Sequence, residues 1–470
     1  MKKHYLLAGA YGLLLSSLLA HPATAQNTRL DPTFQLPVIL NAASPGTVRD
    51  VVRQADGKYV IGGTFTSING VRARNLARLN ADGTLDAAFT ANSAANRPVY
   101  SLALQPDGRI LAGGQFDSLA GAPRTSVGRL LPTGALDAAF NANQGPYLLP
   151  AIEQVALLPG DDVLALSPRS PSFGVPAAGL YRLSGLSGQV DGGFQQAVPA
   201  LRFAVQSDGR ILTGGGGGSY ILMHLLARLL PNGSLDPSFA HATTYYTSTT
   251  LQLEVDARDN IYRLGAWSSN SGRGLSGPGI TQNDWGTLSA TGFRRQPNGR
   301  FLIGGLSASA GLPLTTRLLP DGLQDVSYLA SAGPRASATG IGQVHRFLPQ
   351  PDGAVMIAGN FTVAGTTPVH GLVRMLDTNV LTTRNELAEQ GTAVWPVPAS
   401  ETVSVSLEAT AQPQKMELID AVGRVVLTQE VASRAAVQAM QVAALPAGVY
   451  ALRVSYAQGG PVVRRIEVQR

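Results

Sequence analysis

The sequence predicts an all-β fold built from repeated units, and three observations support this prediction. QPDGRILAGG at residues 105–114 recurs as QSDGRILTGG at 206–215 and QPNGRFLIGG at 296–305, with looser copies at 54–63 and 350–359. Glycine (53 residues) and proline (30) are abundant in a chain of 470 residues, as many turns between short strands require. Each copy also contains two strand-like segments on either side of a turn.

Seven repeat units follow from the spacing of these turns. The turn residues recur at intervals of about fifty residues, and they are Gly57, Gly108, Gly160, Gly209, Asn260, Gly299 and Gly353. We number the units 1 to 7, over residues 47–89, 99–140, 151–194, 200–239, 250–288, 290–329 and 340–380. Units 3 and 5 depart most from the pattern. Four short strands per unit, repeated seven times, are typical of a β-propeller, so we predict a seven-bladed β-propeller over residues 26–380.

The shared motif Q-x-[DN]-G-[RK] is explained as the tip of a β-hairpin. In unit 2, residues 99–105 and 109–116 read as strands that flank Pro106-Asp107-Gly108. A three-residue hairpin loop commonly ends in a residue with positive φ, which glycine adopts without strain. A ligand-binding role for the tips is the less favoured alternative.

Paired glycines follow in the second strand of four units, at 62–63, 113–114, 214–215 and 304–305. Glycine inside a strand usually marks a bulge or a close backbone approach, and close approach is expected in a radial array. The glycine run at 214–218 lacks the Lys-Ser/Thr and the helix of a phosphate-binding loop.

A second hairpin in each unit carries an arginine and an aspartate eight residues apart. The pairs are Arg78/Asp86, Arg129/Asp137, Arg228/Asp236 and Arg317/Asp325, and Arg182/Asp191 is a nine-residue variant. Equal distance from the loop centre places both side chains opposite each other on one face of the hairpin, where a bidentate ion pair fixes the register. A ring of anion sites is the less favoured alternative.

The start of the chain predicts how the ring closes. RLDPTF at residues 29–34 has the sequence of a unit's end, whereas unit 7 lacks such an end. We therefore expect Leu30–Phe34 to supply the outer strand of the blade formed by residues 340–380.

Residues 1–25 read as a signal peptide. Lys2 and Lys3 precede an apolar run, and Ala23-Thr24-Ala25 predicts cleavage between Ala25 and Gln26. Removal of the two lysines lowers the formal charge from +6 to +4. No dense basic run is present, so nucleic acid is not implied, and no later segment is long and apolar enough for a transmembrane helix.

The repeat unit resembles the delta-60 repeat, a bacterial β-propeller-like repeat. The resemblance rests on Q-x-D-G-[KR]-x-x-x-G-G followed by RL-x-x-[DN]-G-x-LD-x-x-F, and it covers about 350 residues, most clearly in units 1, 2, 4, 6 and 7. It implies a fold and no reaction, because no shared catalytic residues accompany it.

Residues 381–392 read as a polar linker, and residues 393–470 as a second module. Short strands separated by glycine and proline turns predict a small Ig-like β-sandwich. Four motifs resemble the C-terminal sorting domain of the type IX secretion system: WPVPA (395–399), DAVGRVV (420–426), LPAGVYALRV (445–454) and RRIEVQR (464–470). Valine at 397 departs from the family's asparagine. The motif residues are Trp395, Pro396, Pro398, Asp420, Gly423, Arg424, Gly448 and Tyr450.

This second resemblance implies a location and partners. It implies passage through the type IX machinery and removal of the domain, followed by release or by attachment to surface lipopolysaccharide. The protein is then secreted or held on the extracellular face of the outer membrane, which agrees with the signal peptide.

No catalytic, cofactor or metal constellation is found in the sequence. The chain has no cysteine, which excludes disulfides and cysteine-ligated metals. The histidines after the signal peptide are isolated, and packed or surface roles are favoured for them: His224, His241, His345 and His370. Acidic residues of units 3 and 5 could carry function: Glu153, Asp161, Asp162, Glu254, Asp256 and Asp259. A calcium site at Asp256–Asp259 is conceivable, although it lacks an EF-hand loop.

These observations leave three functional hypotheses. The favoured one is a binding module for an extracellular protein or polysaccharide; aromatic residues among small polar ones suit such contacts, or loop packing, at Tyr245, Tyr246, Trp267 and Trp285. The alternative is a glycan lyase or hydrolase with an axial site, which requires polar residues with perturbed pKa values there. A structural surface protein without a specific ligand is the third.

Overall fold

The computed structural model describes residues 29–142, 149, 151–167, 179–198, 200–215, 223–239, 242–244, 248–256, 258–267, 273–276, 289–307, 311–325, 328, 333–336, 342–376, 392, 394–395, 398–407, 412–420, 424–431, 437–456 and 462–469. Over these residues the fold is all-β, with one short helix. None of the helical structure described there is long and apolar enough to cross a membrane.

The first two units and the segment before them are built from short strands and the helix. These are β1 (Arg29–Leu30), β2 (Ile39–Asn41), β3 (Ser44–Pro45), β4 (Thr47–Arg53), β5 (Tyr59–Thr64), β6 (Ser67–Ile68), β7 (Val71–Arg72), β8 (Leu76–Leu79), α1 (Ala87–Asn92), β9 (Val99–Leu104), β10 (Ile110–Gly114), β11 (Ser118–Leu119), β12 (Ala122–Pro123) and β13 (Val127–Leu130).

Units 3 to 7 continue in the same way. Their strands are β14 (Gln154–Leu157), β15 (Val163–Ser167), β16 (Gly179–Leu183), β17 (Arg202–Val205), β18 (Ile211–Gly214), β19 (Met223–Leu229), β20 (Ala242–Thr244), β21 (Ser248–Val255), β22 (Ile261–Trp267), β23 (Arg273–Ser276), β24 (Ser289–Arg295), β25 (Phe301–Ser307), β26 (Thr315–Leu318), β27 (Pro334–Arg335), β28 (Gly342–Pro349), β29 (Val355–Gly359), β30 (Val363–Ala364), β31 (Thr367–Pro368) and β32 (Leu372–Leu376).

Each repeat unit contains an antiparallel meander of three strands. The meanders are β4-β5-β8, β9-β10-β13, β14-β15-β16, β17-β18-β19, β21-β22-β23, β24-β25-β26 and β28-β29-β32. The predicted hairpin tip joins the first two strands: Gly108 has φ +85° and donates its N–H to the carbonyl of Gln105 at 2.9 Å.

The first strands of successive units contact one another around a ring. In order they are β4, β9, β14, β17, β21, β24 and β28, and β28 contacts β4 again. Apolar clusters fill the space between neighbouring sheets; one combines Val48 and Ile61 of unit 1 with Met356 and Leu372 of unit 7. The fold over the described repeats is therefore propeller-like, since each sheet buries its faces against its neighbours.

The expected closure by the start of the chain is present, with a shorter strand than predicted. Strand β1 pairs with β32 through Arg29↔Leu376 and Leu30↔Met375. Residues 31–34 form a turn instead of continuing the strand, because the Asp31 carboxylate accepts the N–H of Thr33 at 2.8 Å and forms an ion pair with Arg374.

The prediction of four regular strands per unit is wrong for most units. After the third strand, the chain makes only a single bridge, such as Leu79↔Leu85 or Leu130↔Leu136, and in unit 1 it enters α1. The reason is the recurring aspartate: Asp86 accepts the N–H of Phe89 at 3.2 Å, which turns the backbone away from the sheet.

The predicted Arg–Asp pairs are confirmed in units 1, 2, 4 and 6. The arginine Nε lies 2.8 to 3.0 Å from the aspartate Oδ2 in Arg78/Asp86, Arg129/Asp137, Arg228/Asp236 and Arg317/Asp325. The pairs do not have the expected bidentate geometry. The arginine Nε contacts Oδ2, whereas in three of the pairs Oδ1 accepts a backbone N–H of the following turn, from Phe89, Ala139 or Ser238. Each guanidinium also lies over an aromatic ring, with centroid distances of 4.2 Å to Phe89, 4.6 Å to Phe140 and Phe239, and 5.0 Å to Tyr328.

The nine-residue variant in unit 3 has a different main partner from the one predicted. Arg182 binds Asp162 with Nε at 3.0 Å and Nη2 at 2.7 Å, whereas Asp191 lies 3.9 Å away. The extra residue in the loop moves Asp191 out of register, and Asp162 on the neighbouring hairpin tip replaces it.

The paired glycines stand opposite a β-bulge in the first strand. In unit 1 the register shifts between Val48↔Gly63 and Asp50↔Gly62, which leaves Arg49 as the extra residue. A Cβ on Gly63 would collide with the carbonyl of Thr47, and one on Gly62 would lie 2.7 Å from Val99 of unit 2. The prediction of close approach is therefore confirmed here: Gly62 faces the next unit, and Gly63 faces the first strand of its own unit.

The C-terminal residues form a separate pair of sheets. The strands are β33 (Val394–Trp395), β34 (Thr402–Ser406), β35 (Pro413–Ile419), β36 (Val425–Glu430), β37 (Val437–Gln441), β38 (Gly448–Tyr456) and β39 (Val462–Val468). The sheets β33-β34-β37 and β36-β35-β38-β39 enclose one apolar cluster that includes Val403, Met440, Leu452 and Ile466. Residues 381–391 of the predicted linker lie outside the described residues.

Candidate functional site

A cavity of about 620 Å³ lies on the axis of the ring, and the first strands of all seven units line it. Its lining is rich in charge. It includes Arg49, Asp50, Glu153, Arg202, Glu254, Arg294, His345 and Arg346. Two positions of the repeat supply most of these side chains, and each has a distinct structural role.

The first position lies four residues before the residue that begins the hairpin tip, which is a glutamine in five units, Leu158 in unit 3 and Asp256 in unit 5. We call its occupants the bracket residues: Asp50, Ser101, Gln154, Arg202, Gln252, Gly292 and Arg346. The side chains of five of them reach the backbone of the next unit. Asp50 accepts the N–H of Leu102 at 2.8 Å, and Ser101 accepts that of Val155 at 3.1 Å.

The brackets continue around the ring with changing chemistry. Gln154 donates to the carbonyl of Phe203 at 2.8 Å, Arg202 to that of Leu251 at 2.9 Å, and Gln252 to that of Phe293 at 2.6 Å. Arg346 completes the circuit with an ion pair to Asp50 at 3.1 Å. These polar groups therefore satisfy the inner strand edges, which a buried backbone requires.

One bracket lacks a side chain, namely Gly292 between units 6 and 7. There the neighbouring sheets are joined differently, because β25 pairs directly with β28 through Leu306↔Gln343 and Ser307↔Gly342. Direct strand pairing thus replaces the side-chain bracket at this junction.

The second position is the extra residue of the β-bulge, one residue before the bracket. We call its occupants the bulge residues; they are Arg49, Tyr100, Leu251, Thr291 and His345. All five line the cavity. A bulge re-aims the side chain of its extra residue and is common beside functional sites. The residue type at the bulge positions can therefore change without loss of the hydrogen bonds that the bracket residues form between units.

Burial controls the ionisation of two axial carboxylates, those of Asp50 and Glu254. It raises the pKa of Asp50, although Arg346 and the N–H of Leu102 oppose the shift. Burial likewise raises the pKa of Glu254, against the attraction of Arg294 and the N–H of Arg295. Both carboxylates are thus held by donors in a poorly solvated place, where the charged form is costly.

Two bulge residues differ in their charge. Burial, together with the charge of Arg49, lowers the pKa of His345 to about 3, so its imidazole is neutral near pH 7. Arg49 is exposed, and its guanidinium lies 5.8 Å from the centroid of the Tyr100 ring. A neutral imidazole and an arginine are suited to bind a ligand that has both hydroxyl and acidic groups.

The acidic residues singled out in units 3 and 5 separate into two groups. Glu153 and Glu254 line the axial cavity. Asp256 instead accepts the N–H of Arg258 at 2.9 Å and of Asn260 at 3.0 Å, and Asp259 accepts Ser207 Oγ at 2.6 Å. Within the described ranges no three acidic or histidine side chains group into a metal site.

The histidines and aromatic residues are placed as follows. His345 lines the cavity, whereas the pKa of His370 is lowered by burial outside it. His224 is in β19 and Trp267 is in β22. Predictions about His241, Tyr245, Tyr246 and Trp285, like the cleavage site at Ala25 and Gln26, concern positions outside the described residues.

The sorting-motif residues that are described lie at strand ends and in turns. Asp420 accepts the N–H and Nε of Arg424, both at 2.9 Å, and so closes a hairpin. Tyr450 is buried and donates its hydroxyl to the carbonyl of Pro446 at 2.7 Å. Trp395 pairs with Ser404, Pro398 is exposed and Gly448 begins β38. Pro396 and Gly423 lie outside the described residues.

Sequence comparison matches two separate parts of the chain to known families. Residues 54–89, 105–140 and 206–239, in units 1, 2 and 4, match the family described as domain of unknown function (DUF5122) beta-propeller. Residues 393–469 match the secretion system C-terminal sorting domain. The chain carries DUF5122 beta-propeller repeats and a type IX sorting domain. The sorting domain implies export to the cell surface or secretion by the type IX machinery.

Structural comparison gives matches to two extracellular domains from Bacteroides thetaiotaomicron. The extracellular domain of the putative hybrid two component system BT3049 is 12% identical, with a TM-score of 0.46 over 92% of this chain and 57% of that one. The extracellular domain of the putative one component system BT4673 is 10% identical, with a TM-score of 0.42 over 94% of this chain and 60% of that one. This chain therefore spans less than two thirds of either structure. A comparison with curated proteins finds no match.

Sequence reasoning missed Arg49, Asp50 and Arg346 as members of one site. A signal was available, because the hairpin-tip glutamine fixes the register in Gln54, Gln105, Gln206, Gln296 and Gln350. The bracket residue lies four positions before this glutamine, and the bulge residue lies five positions before it. Motif searches do not reveal them, since the residue type changes from unit to unit.

Proposed function

We propose that this protein is an exported seven-bladed β-propeller whose axial cavity binds an extracellular ligand. The observation that carries the proposal is the convergence of seven first strands on one charged cavity of about 620 Å³, a size typical of ligand sites. The ligand is a polysaccharide or a protein segment outside the cell. The sorting domain supplies the export that this role requires.

The remaining details of this proposal come from the sequence. Cleavage after Ala25 starts the mature chain, residues 26–380 form the propeller of delta-60-like repeats, and residues 393–470 form an Ig-like sandwich that is removed after transport. The propeller is then released or attached to surface lipopolysaccharide. We propose no cofactor.

The contacts of two axial carboxylates, Asp50 and Glu254, support binding over glycan lysis or hydrolysis. A general acid or base needs a carboxyl group that is free to reach its substrate. Asp50 already accepts the N–H groups of Val51 and Leu102, each at 2.8 Å. Glu254 accepts Arg295 N–H at 3.0 Å and Arg294 at 3.3 Å. These groups hold the ring together, which leaves the bulge residues to contact a ligand.

The test is a binding screen of the full chain from Gln26, on an array of polysaccharides and glycans, with and without calcium. Ala204 lines the cavity beside Phe203, so Ala204→Trp should obstruct it and weaken binding of any ligand found at least tenfold. Ala135→Trp, at an exposed hairpin tip, is the matched control and should bind normally. Full affinity in the Ala204→Trp variant would show that the cavity is not the site.

A further inference from the structure

The bulge residues of three consecutive units form one continuous polar arc in the cavity. His345 belongs to unit 7, Arg49 to unit 1 and Tyr100 to unit 2, and ring closure makes these units neighbours. The inference drawn from this arc rests on the proposed function and names the chemistry of the ligand.

Arg49 differs from the other arginines of the cavity in its partners. Arg346 is paired with Asp50 at 3.1 Å, Arg294 with Glu254 at 3.3 Å and Arg202 with Glu153 at 3.8 Å. Within the described part of the chain, Arg49 has no carboxylate partner; its guanidinium lies over the ring of Tyr100, and its charge acts on the imidazole of His345. A guanidinium that is positioned by an aromatic ring and lacks a counter-ion is suited to bind an anion.

His345 supplies the neutral part of the arc. Its side chain is partly buried and, among the described residues, forms no hydrogen bond. A neutral imidazole has one donor and one acceptor nitrogen, which matches a sugar hydroxyl. Opposite this arc, Leu251 provides an apolar bulge residue, so the cavity combines an anion site, a hydroxyl site and an apolar wall.

We propose that Arg49, His345 and Tyr100 form a subsite for an acidic oligosaccharide, with its carboxylate or sulfate on the Arg49 guanidinium and a neighbouring hydroxyl on His345. Tyr100 positions the guanidinium, and its own hydroxyl is engaged with Gln115 at 3.0 Å.

The brackets favour a saccharide over an acidic peptide. An extended peptide commonly binds by adding a strand to an open sheet edge. Here side chains of the preceding unit already occupy inner-edge positions at Leu102, Val155 and Phe203. A ligand recognised through side chains, by its hydroxyl and acidic groups, fits the remaining donors.

The experiment measures binding of the full chain from Gln26 to four probes by isothermal titration calorimetry. They are oligogalacturonate for the carboxylate, chondroitin sulfate oligosaccharide for the sulfate, maltohexaose as the neutral sugar and oligoglutamate as the acidic peptide. We expect one or both acidic saccharides to bind, and Arg49→Gln to weaken them about 10- to 100-fold, as loss of a charge-assisted contact predicts. Arg72→Gln removes an exposed arginine of the same unit, on β7, and should bind as the wild type does.

Further variants separate the roles of the arc. His345→Gln keeps a donor and an acceptor, so it should bind more tightly than His345→Phe. Arg49 is exposed, so Arg49→Gln should unfold at the wild-type temperature, which excludes misfolding as the cause of lost binding.

Several results would overturn the inference. Failure of both acidic saccharides to bind the wild type would do so, as would equal binding by wild type and Arg49→Gln. Tighter binding of oligoglutamate would identify a peptide site instead. If maltohexaose is the only one of the saccharide probes that binds, and Ala204→Trp blocks it, the axial site stands and the acid-binding subsite is wrong.

Discussion

Two parts of each repeat unit behave in opposite ways. The outer hairpin repeats its contacts: arginine, aspartate and an aromatic ring recur in units 1, 2, 4 and 6 with nearly the same distances. The first strand repeats only its geometry, since its bracket is an aspartate in unit 1, a serine in unit 2 and an arginine in unit 7. Identical residues therefore stabilise each outer hairpin and attach it to the next unit, since Arg78 donates to the carbonyl of Pro132 and Arg129 to that of Gly185. At the axis, varied residues join units and line the cavity.

The same contrast appears in the ionisation of the carboxylates. The hydroxyl and N–H of Ser238, with Arg228, lower the pKa of Asp236 in an outer hairpin to about 2. Burial raises the pKa of Asp50 at the axis. Asp236 is thus stabilised as an anion by donors close in sequence, whereas Asp50 depends on donors from the neighbouring units.

The largest effect should come from breaking the most buried outer pair. Arg317 and Asp325 have side-chain exposures of 0% and 5% and lie 2.8 Å apart. Arg317→Met leaves the buried Asp325 carboxylate with the more distant Arg300, at 3.3 Å, so the free energy of unfolding should fall by about 3 kcal/mol. Urea unfolding followed by circular dichroism measures the change. Arg72→Met, on an exposed strand, is the control, and similar losses in both variants would contradict the assigned role.

A smaller loss of stability is expected from substitution of the glycine opposite the bulge in unit 1. Gly63→Ala places a methyl group against the carbonyl of Thr47, and overpacking of this kind costs about 1–3 kcal/mol. Gly192→Ala meets nothing within 4 Å and should unfold like the wild type. The two melting temperatures provide the comparison; an unchanged Gly63→Ala temperature would mean that the bulge does not require glycine.

The smallest effect is a difference in pH dependence. Because the pKa of Asp50 is raised above 3.8 in the folded state, its contribution to stability should fall as pH rises from about 3.8 through the raised value. The lowered pKa of Asp236 gives the opposite sign: its stabilisation is present above about pH 4 and is lost as pH falls towards 2. Urea unfolding of wild type, Asp50→Asn and Asp236→Asn from pH 3 to 7 tests this. If the free energy of unfolding depended on pH in the same way in both variants, the predicted difference between Asp50 and Asp236 would be wrong.

The sequence predicts the parts of the fold that repeat. The hairpin tips, the Arg–Asp pairs, the close approach at the paired glycines and the pairing of Leu30 with the last unit all follow from local rules on turns and strand faces. It does not predict that Asp86 would turn the chain into α1, because the same aspartate has two oxygens with different partners. The residues of the axial cavity are harder to predict from the sequence. Glu153 and Glu254 are candidates because they lie in units that depart from the repeat. Arg49 and Arg346 have no such signal, because only ring closure brings units 7 and 1 together.

The pairing of β1 with β32 also constrains the order of events during synthesis. Leu30 precedes the first repeat unit in the chain, and its partner Met375 lies in the last one, so Leu30 is synthesised long before Met375. A nascent chain that ends before Met375 must leave the edge of its first segment unpaired, and unpaired edges promote association between molecules. Closure of the ring is thus a late step in folding. We expect incomplete translation products to have an unpaired strand edge, which promotes association and is paired in the full-length protein.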